Sequence, residues 1–375
     1  MSPPSFLSSI FALVSLAGLG LATLFDMANG PGIARQERIA PTPAPPQSAK
    51  DMARLFSEVR FYVANRYAMK DQFVTWNGQV KIGLFGHSPA PNVAFGRDGF
   101  MFLNTAAPIA IAQGQGRLTD EDAVSWRDHF KSAQETFEVR GISYAFVMGP
   151  NKHSIYPDLL PHWLSPAPAD HTRTADIVQA VDDVSLTPFD SRAALQQARA
   201  NDPERLLYHP TDTHWTEWGA AIVIDQTLAA LGVPSERPVV MEANLPRSGD
   251  MARMIGQQDI RSASAPVLVA NYACTDGSGN PFEITTIDPI TPGHLTCGTP
   301  QGRPDRIVVF HDSFGIPAIP YLASRFKKVE FIRTDMADPA HAEELGADIV
   351  LQIIVERKLW SQQPSDFLSI QDRDR

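Results

Sequence analysis

The stretch "RIVVFHDSFG", residues Arg306–Gly315, passes from an apolar run into a polar turn and then to a glycine. A short run of apolar residues without polar alternation suits a strand covered on both faces. "VEFIR" (329–333), "DIVLQIIVE" (348–356) and "SYAFVMGP" (143–150) have the same character. Helical patterns lie between them. "TDEDAVSWRDHFKSAQETFEVRG" (119–141) opens with Thr119 and Asp122 spaced as a capping pair and stops at Gly141. "TEWGAAIVIDQTLAALG" (216–232) puts Ala221, Ile224, Leu228 and Leu231 on one face and stops at Gly232. "DMARLFSEVRFYVANRY" (51–67) also has helical spacing, and "NVAFGRDGFMFLN" (92–104) reads as two short strands about an Arg97-Asp98-Gly99 turn. Doubly covered strands alternating with helices predict an α/β fold, a three-layer α/β/α sandwich with a mostly parallel sheet.

In such folds the ligand sits beyond the carboxyl ends of the strands. Ser313 falls there, at a strand-to-helix turn, where a hydroxyl is exposed and backbone N–H groups can stabilise a developing oxyanion. The same position equally suits Ser313 or Asp312 as a plain helix cap.

A partner for such a serine is offered by "YHPTDTHWTEWGA", Tyr208–Ala220. Asp212 and His214, two apart, can share one side of an extended segment. The carboxylate then takes the Nδ1 proton of the imidazole and raises its basicity, which a serine needs near neutral pH. Thr216 starts the following helix, so a capped helix start with no chemistry is the other reading. Trp215 and Trp218 can be core or line a sugar-binding surface. His209, Asp212 and His214 are zinc-ligand types, but no further His or Cys cluster completes a site, and no metal is expected.

The chain has 375 residues, 43% of them apolar, enough for a substantial core. Lys and Arg number 32 against 42 Asp and Glu, a formal charge of -10, which argues against a nucleic-acid partner. Residues 1–25 contain Phe6–Phe25, about twenty uncharged and mostly apolar residues, read as a membrane anchor or export signal. Arg35 and Arg38 follow that run and no basic residue precedes it, which by the positive-inside rule weighs toward a cytoplasmic C-terminal side. Residues 26–50 form a Pro-rich linker, leaving residues 51–375 as the folded domain. Cys274 and Cys297, in a Gly-, Pro- and Thr-rich stretch, are expected to form a disulfide stapling a long loop if the protein is exported, and to be buried free thiols otherwise.

Several segments, in order, resemble the alginate O-acetyltransferase family, the AlgX/AlgJ-type proteins of the SGNH-hydrolase-like or DHHW group. They are "NVAFGRDGFMFL", "GPNKHSIYPDLLP", "DTHWTEWGA", "SGDMARMIG", "HDSFG" and "VERKL". The resemblance implies an SGNH-hydrolase-like fold with permuted motif order and a catalytic triad of Asp212, His214 and Ser313. His311 stands where SGNH esterases usually carry a small residue. The implied chemistry needs no cofactor: Ser313 takes up an acetyl group and passes it to a hydroxyl of an exported envelope polysaccharide. Trp215, Lys152 and Arg357 are the implied acceptor contacts. A membrane-bound acyltransferase is the implied acetyl donor, and a periplasmic protein anchored to the inner membrane the implied setting. With water as acceptor the same triad makes a secreted carbohydrate esterase; with the triad idle, a polysaccharide-binding component.

Overall fold

The apolar runs are strands, and three of them end at the candidate site. The computed structural model describes residues 76, 78–82, 87–184, 190–234, 248–257, 271–283 and 292–369. The anchor, the linker, the residue 51–67 helix and the domain boundary at residue 51 lie outside them. The chain divides into two compact units, Met1–Pro89 and Ala90–Arg375, and every strand among the described residues belongs to the second. Among the described residues no helix is long and apolar enough to cross a membrane.

Strands β1 (Val93–Phe95) and β2 (Met101–Leu103) form the expected antiparallel hairpin. Its turn takes Asp98 and Gly99 through positive φ, 52° and 76°, a region that Asp tolerates and Gly occupies freely. The main sheet contains β3 (Ser143–Gly149), β4 (Ala273–Asp276), β5 (Pro281–Phe282), β6 (His294–Gly298), β7 (Arg303–His311), β8 (Phe326–Ile332) and β9 (Ile349–Val355), in the order β3-β9-β7-β8-β6-β4-β5. From β3 to β8 every pairing is parallel; β8-β6, β6-β4 and β4-β5 are antiparallel. The sequence reading thus finds the parallel half and leaves the antiparallel flank unread. Cys274 and Cys297 are disulfide-bonded. They lie directly opposite one another in β4 and β6, so the bond clamps two paired strands and closes the 23-residue separation between them.

Successive residues of a strand face opposite sides. Ala145, Val147, Ile307, Val309, Leu351 and Ile353 therefore pack on one face against Ala220, Ile224 and Leu228 of the helix Glu217–Ala230. Tyr144, Phe146, Val308, Phe310, Val350 and Ile354 pack on the other against Trp126, Phe130, Ala133 and Phe137 of the helix Asp120–Glu138. Helices on both faces make the three-layer sandwich. The long helix starts at the predicted capping box of Thr119 and Asp122. Each buried aromatic in these layers is worth about 1.5–3 kcal/mol of transfer free energy, which gives the strand ends a rigid base.

Candidate active site

The end of β7 is fixed by Asp312. Its Oδ1 accepts from the N–H of Phe314 at 2.8 Å and its Oδ2 from that of Val355 at 2.9 Å. The carboxylate thus caps the 3-10 turn Ser313–Ala318 and ties β7 to the end of β9. With the cap supplied by Asp312, the Ser313 side chain is left over: it is partly exposed and enters no hydrogen bond among the described residues. His311 is buried, its Nδ1 2.6 Å from the carbonyl of Asp312, and burial pushes its pKa down to about 4, so it is neutral at physiological pH. A Cβ on Gly315 would lie 2.4 Å from the Cβ of His311. The glycine of the motif is therefore what admits the histidine.

The segment Tyr208–Thr216 folds back on itself. Tyr208 and Trp215 form a bridge, and the N–H of Thr216 donates to Leu207 at 2.8 Å. Inside this bend Asp212 Oδ1 accepts from the backbone N–H of His214 at 2.9 Å and lies 2.6 Å from the ring Nδ1. Burial pushes the Asp212 carboxyl up, but the hydrogen bond and charge of His214 prevail and hold it well below the usual carboxylate range. For His214 burial pulls downward, and the Asp212 bond and charge, with help from Asp250, leave its pKa raised. The other ring nitrogen, Nε2, is buried and has no hydrogen-bond partner among the described residues. The ring lies 5.1 Å, centroid to centroid, from Phe314, the residue after Ser313. Asp212 and His214 are thus paired, while no bond runs from Ser313 to His214 among the described residues. Catalytic hydrogen bonds of this kind often close only with substrate present.

A family model described as an SGNH hydrolase-like domain, acetyltransferase AlgX, matches residues 69–281. The chain belongs to the AlgX acetyltransferase family. Asp212 and His214 lie inside the matched residues and Ser313 beyond them. The probable alginate O-acetylase AlgJ of Azotobacter vinelandii is 26% identical over 179 residues, 46% of this chain and 43% of that protein. This chain therefore spans less than half the length of that relative. Bacillus cereus PatB1, solved with a sulfonyl adduct, superposes with a TM-score of 0.51 at 13% identity, covering 73% of this chain and 98% of PatB1. The O-acetyltransferase domain of Pseudomonas putida AlgJ gives a TM-score of 0.44 at 16% identity, covering 73% and 94%. The PatB1 likeness shows a shared fold.

Two expected acceptor contacts of this AlgX-family chain are corrected by their surroundings. Trp215 is 0% exposed and spends its only donor, Nε1–H, on the carbonyl of Phe314 at 2.9 Å. It is a strut between the base segment and the serine turn, not a groove residue. Lys152 is 3% exposed, and its ammonium donates to the carbonyls of Met101, His209 and Pro210 at 3.0, 2.7 and 3.1 Å. All three N–H donors are thereby used. Burial draws its pKa down to about 7, against the charges of Asp212 and Asp250. Lys152→Met should loosen the base segment and cost about 10²-fold in turnover, with little change in the KM for acceptor; a sugar-binding lysine would show the reverse. Arg357 is the expected contact that stays available. Its guanidinium lies 5.3 Å from the Phe314 ring centroid, is partly exposed, and makes no hydrogen bond or ion pair among the described residues.

Sequence reasoning assigns no role to Asp250, although "SGDMARMIG" carries part of the AlgX-family resemblance. Its carboxylate lies 3.7 Å from His214 Nδ1. Asp212, His214 and Asp250 each offer an atom within 4.8 Å of the others, a spacing open to a metal ion. As the residues stand, His214 Nδ1 and Asp212 Oδ1 are 2.6 Å apart, the distance of a hydrogen bond.

Proposed function

We propose that this protein transfers an acetyl group through Ser313 to a hydroxyl of an exported polysaccharide, acting outside the cytoplasm. The observation that carries the reading is the imidazole of His214, anchored through Nδ1 to Asp212 and presenting a buried Nε2, unpaired among the described residues, beside the turn that holds Ser313. A buried imidazole nitrogen with no partner is costly and is suited to taking a proton.

In the first half-reaction Ser313 Oγ attacks the carbonyl carbon of an acetyl ester as its proton passes to His214 Nε2. The tetrahedral intermediate collapses, the donor's C–O bond breaks, and the departing alcohol takes that proton. In the second half-reaction an acceptor hydroxyl gives its proton to Nε2 and attacks the acetyl-serine. Ser313 leaves with the proton, and the new ester remains on the sugar. Asp212 keeps the Nδ1 proton in place and stabilises the imidazolium formed in each step. A disulfide between β4 and β6 fits an oxidising compartment. Acetyl-coenzyme A is scarce there, so a membrane-bound acyltransferase is the donor this reading calls for, and the apolar run Phe6–Phe25 the anchor that brings the two together.

Because His214 must be neutral to accept the serine proton, and its pKa is raised, acylation should rise with pH through a midpoint above the ordinary histidine value of about 6.5. Stopped-flow release of p-nitrophenol from p-nitrophenyl acetate measures it, and a midpoint at or below that value contradicts the Asp212–His214 pairing.

Transfer is separated from hydrolysis by competition. Water stands at about 55 M, and a bound hydroxyl outcompetes it only through orientation, which is worth about 10⁵–10⁸ M in well-aligned intramolecular reactions. With p-nitrophenyl acetate and rising concentrations of envelope oligosaccharide, acetylated sugar should increase at the expense of free acetate. Acetate release that no oligosaccharide alters would make the protein an esterase.

A further inference from the structure

Asp250 opens the short helix Asp250–Met254, and the N–H groups of Gly249 and Asp250 and the Asp250 carboxylate all bond to residues 211–214. Its N–H donates to Asp212 Oδ2 at 2.9 Å. Its Oδ1 accepts from the N–H of Thr213 at 2.8 Å and its Oδ2 from the Thr213 hydroxyl at 2.5 Å. That hydroxyl is itself 3.3 Å from His214 Nδ1. The approach is possible only because residue 249 is glycine: a Cβ there would lie 2.1 Å from the carbonyl oxygen of Thr211 and 2.5 Å from the nitrogen of Asp212. One imidazole nitrogen therefore faces two carboxylates, Asp212 in direct hydrogen bond and Asp250 3.7 Å away.

We propose that Asp250 is a positioning residue of the His214 base, a second carboxylate whose charge favours the imidazolium of the transition state and whose hydrogen bonds hold Asp212 and Thr213 around the ring. The role rests on the acetyl-transfer reading and lies within it. In the resting enzyme, with His214 neutral, two nearby carboxylates oppose each other's charge. Once His214 takes the serine proton, both anions face a cation, so the interaction is worth more in the transition state than before it, and this is the kind of interaction that raises turnover. The charged groups around Asp250 agree with this. Burial and the charge of Asp212 push its carboxyl up, and His214 opposes them. Two cations complete the set: Lys152, which lies within electrostatic reach of both carboxylates, and Arg357, which also faces Asp312. His209 adds its influence on Asp212.

The test uses the full chain and a readout that needs no catalysis. Asp250→Asn keeps the shape and an acceptor for the Thr213 N–H while removing the charge. By NMR titration of the imidazole without substrate, the His214 pKa should fall by about one unit. In p-nitrophenyl acetate turnover the acid-limb midpoint should fall equally, and the plateau rate about tenfold. Thr213→Val removes a hydrogen bond and no charge, so it should slow the enzyme and leave the midpoint where it is in the wild type. A wild-type His214 titration in Asp250→Asn overturns the proposal. So does an equal midpoint shift in Thr213→Val, which would trace the effect to loop geometry alone. Should Asp250→Asn fail to fold, Asp250→Glu decides: charge retained must mean a midpoint retained. If the wild type itself takes no acetyl group, the acetyl-transfer reading falls, and the NMR titration still judges Asp250.

Discussion

Ser313→Ala is expected to reduce acetyl transfer by about 10⁶-fold, the scale on which serine enzymes lose turnover with their nucleophile, while leaving the protein folded. The second half of that expectation comes from the division of labour at the end of β7. Asp312 carries the cap and the tie to β9, so deleting the neighbouring hydroxyl removes no hydrogen bond among the described residues. The variant should melt with the wild type in urea. Intact-mass spectrometry after exposure to p-nitrophenyl acetate should show one added acetyl group on the wild type and none on the variant. An alanine variant that still acetylates oligosaccharide at the wild-type rate would mean direct transfer from donor to acceptor, and the covalent step would have to be abandoned.

Asp212→Asn should be nearly as damaging, about 10⁴-fold in turnover, for a different reason. The carboxylate accepts from the backbone N–H of His214 with the same oxygen that faces Nδ1. The other oxygen accepts from the N–H of Asp250, so an amide that keeps that bond turns its N–H donors toward the ring. The ring must then carry its proton on Nε2, the nitrogen that should receive the serine proton. Substrate binding is untouched, so KM should hardly move while kcat collapses. The imidazole ¹⁵N shifts report the tautomer directly. Unchanged shifts together with unchanged kcat would show that Asp212 neither orients nor charges the base.

How far the sequence could be read depends on which physical signal each part leaves. β3, β7 and β9 are doubly covered, so their residues are apolar on both faces and stand out as runs. β4, β5 and β6 are short, with part-exposed, polar positions such as Thr275 and Thr296, and they carry no comparable signal. Asp212 and His214 were legible because the pair is local. The burial of Lys152 and Trp215 is not legible, because residue type says which bonds a side chain can make, whereas packing decides with whom. The backbone carbonyls that hold Lys152 and the carbonyl that holds Trp215 leave no trace in the letters. Asp250 reaches His214 across a long intervening segment. The family-like segment "SGDMARMIG" and its Gly249 are the hints, and a glycine before a helix is too common to announce a close approach.

The strand order carries a consequence for biogenesis. β9, the last strand of the sheet in sequence, lies between β3, the first, and β7. A chain emerging from the ribosome or crossing a membrane therefore displays Asp212 and His214 long before the central slot of its sheet can be filled. Ser313 rests on a turn whose cap is tied to Val355 at the end of that late strand. Pairings so distant along the chain are slow to form, on the order of milliseconds to seconds in simple domains. The growing polypeptide thus carries Asp212 and His214 before the turn that holds Ser313 can be fixed, and on the proposed acetyl-transfer reading it gains activity only after synthesis has passed β9.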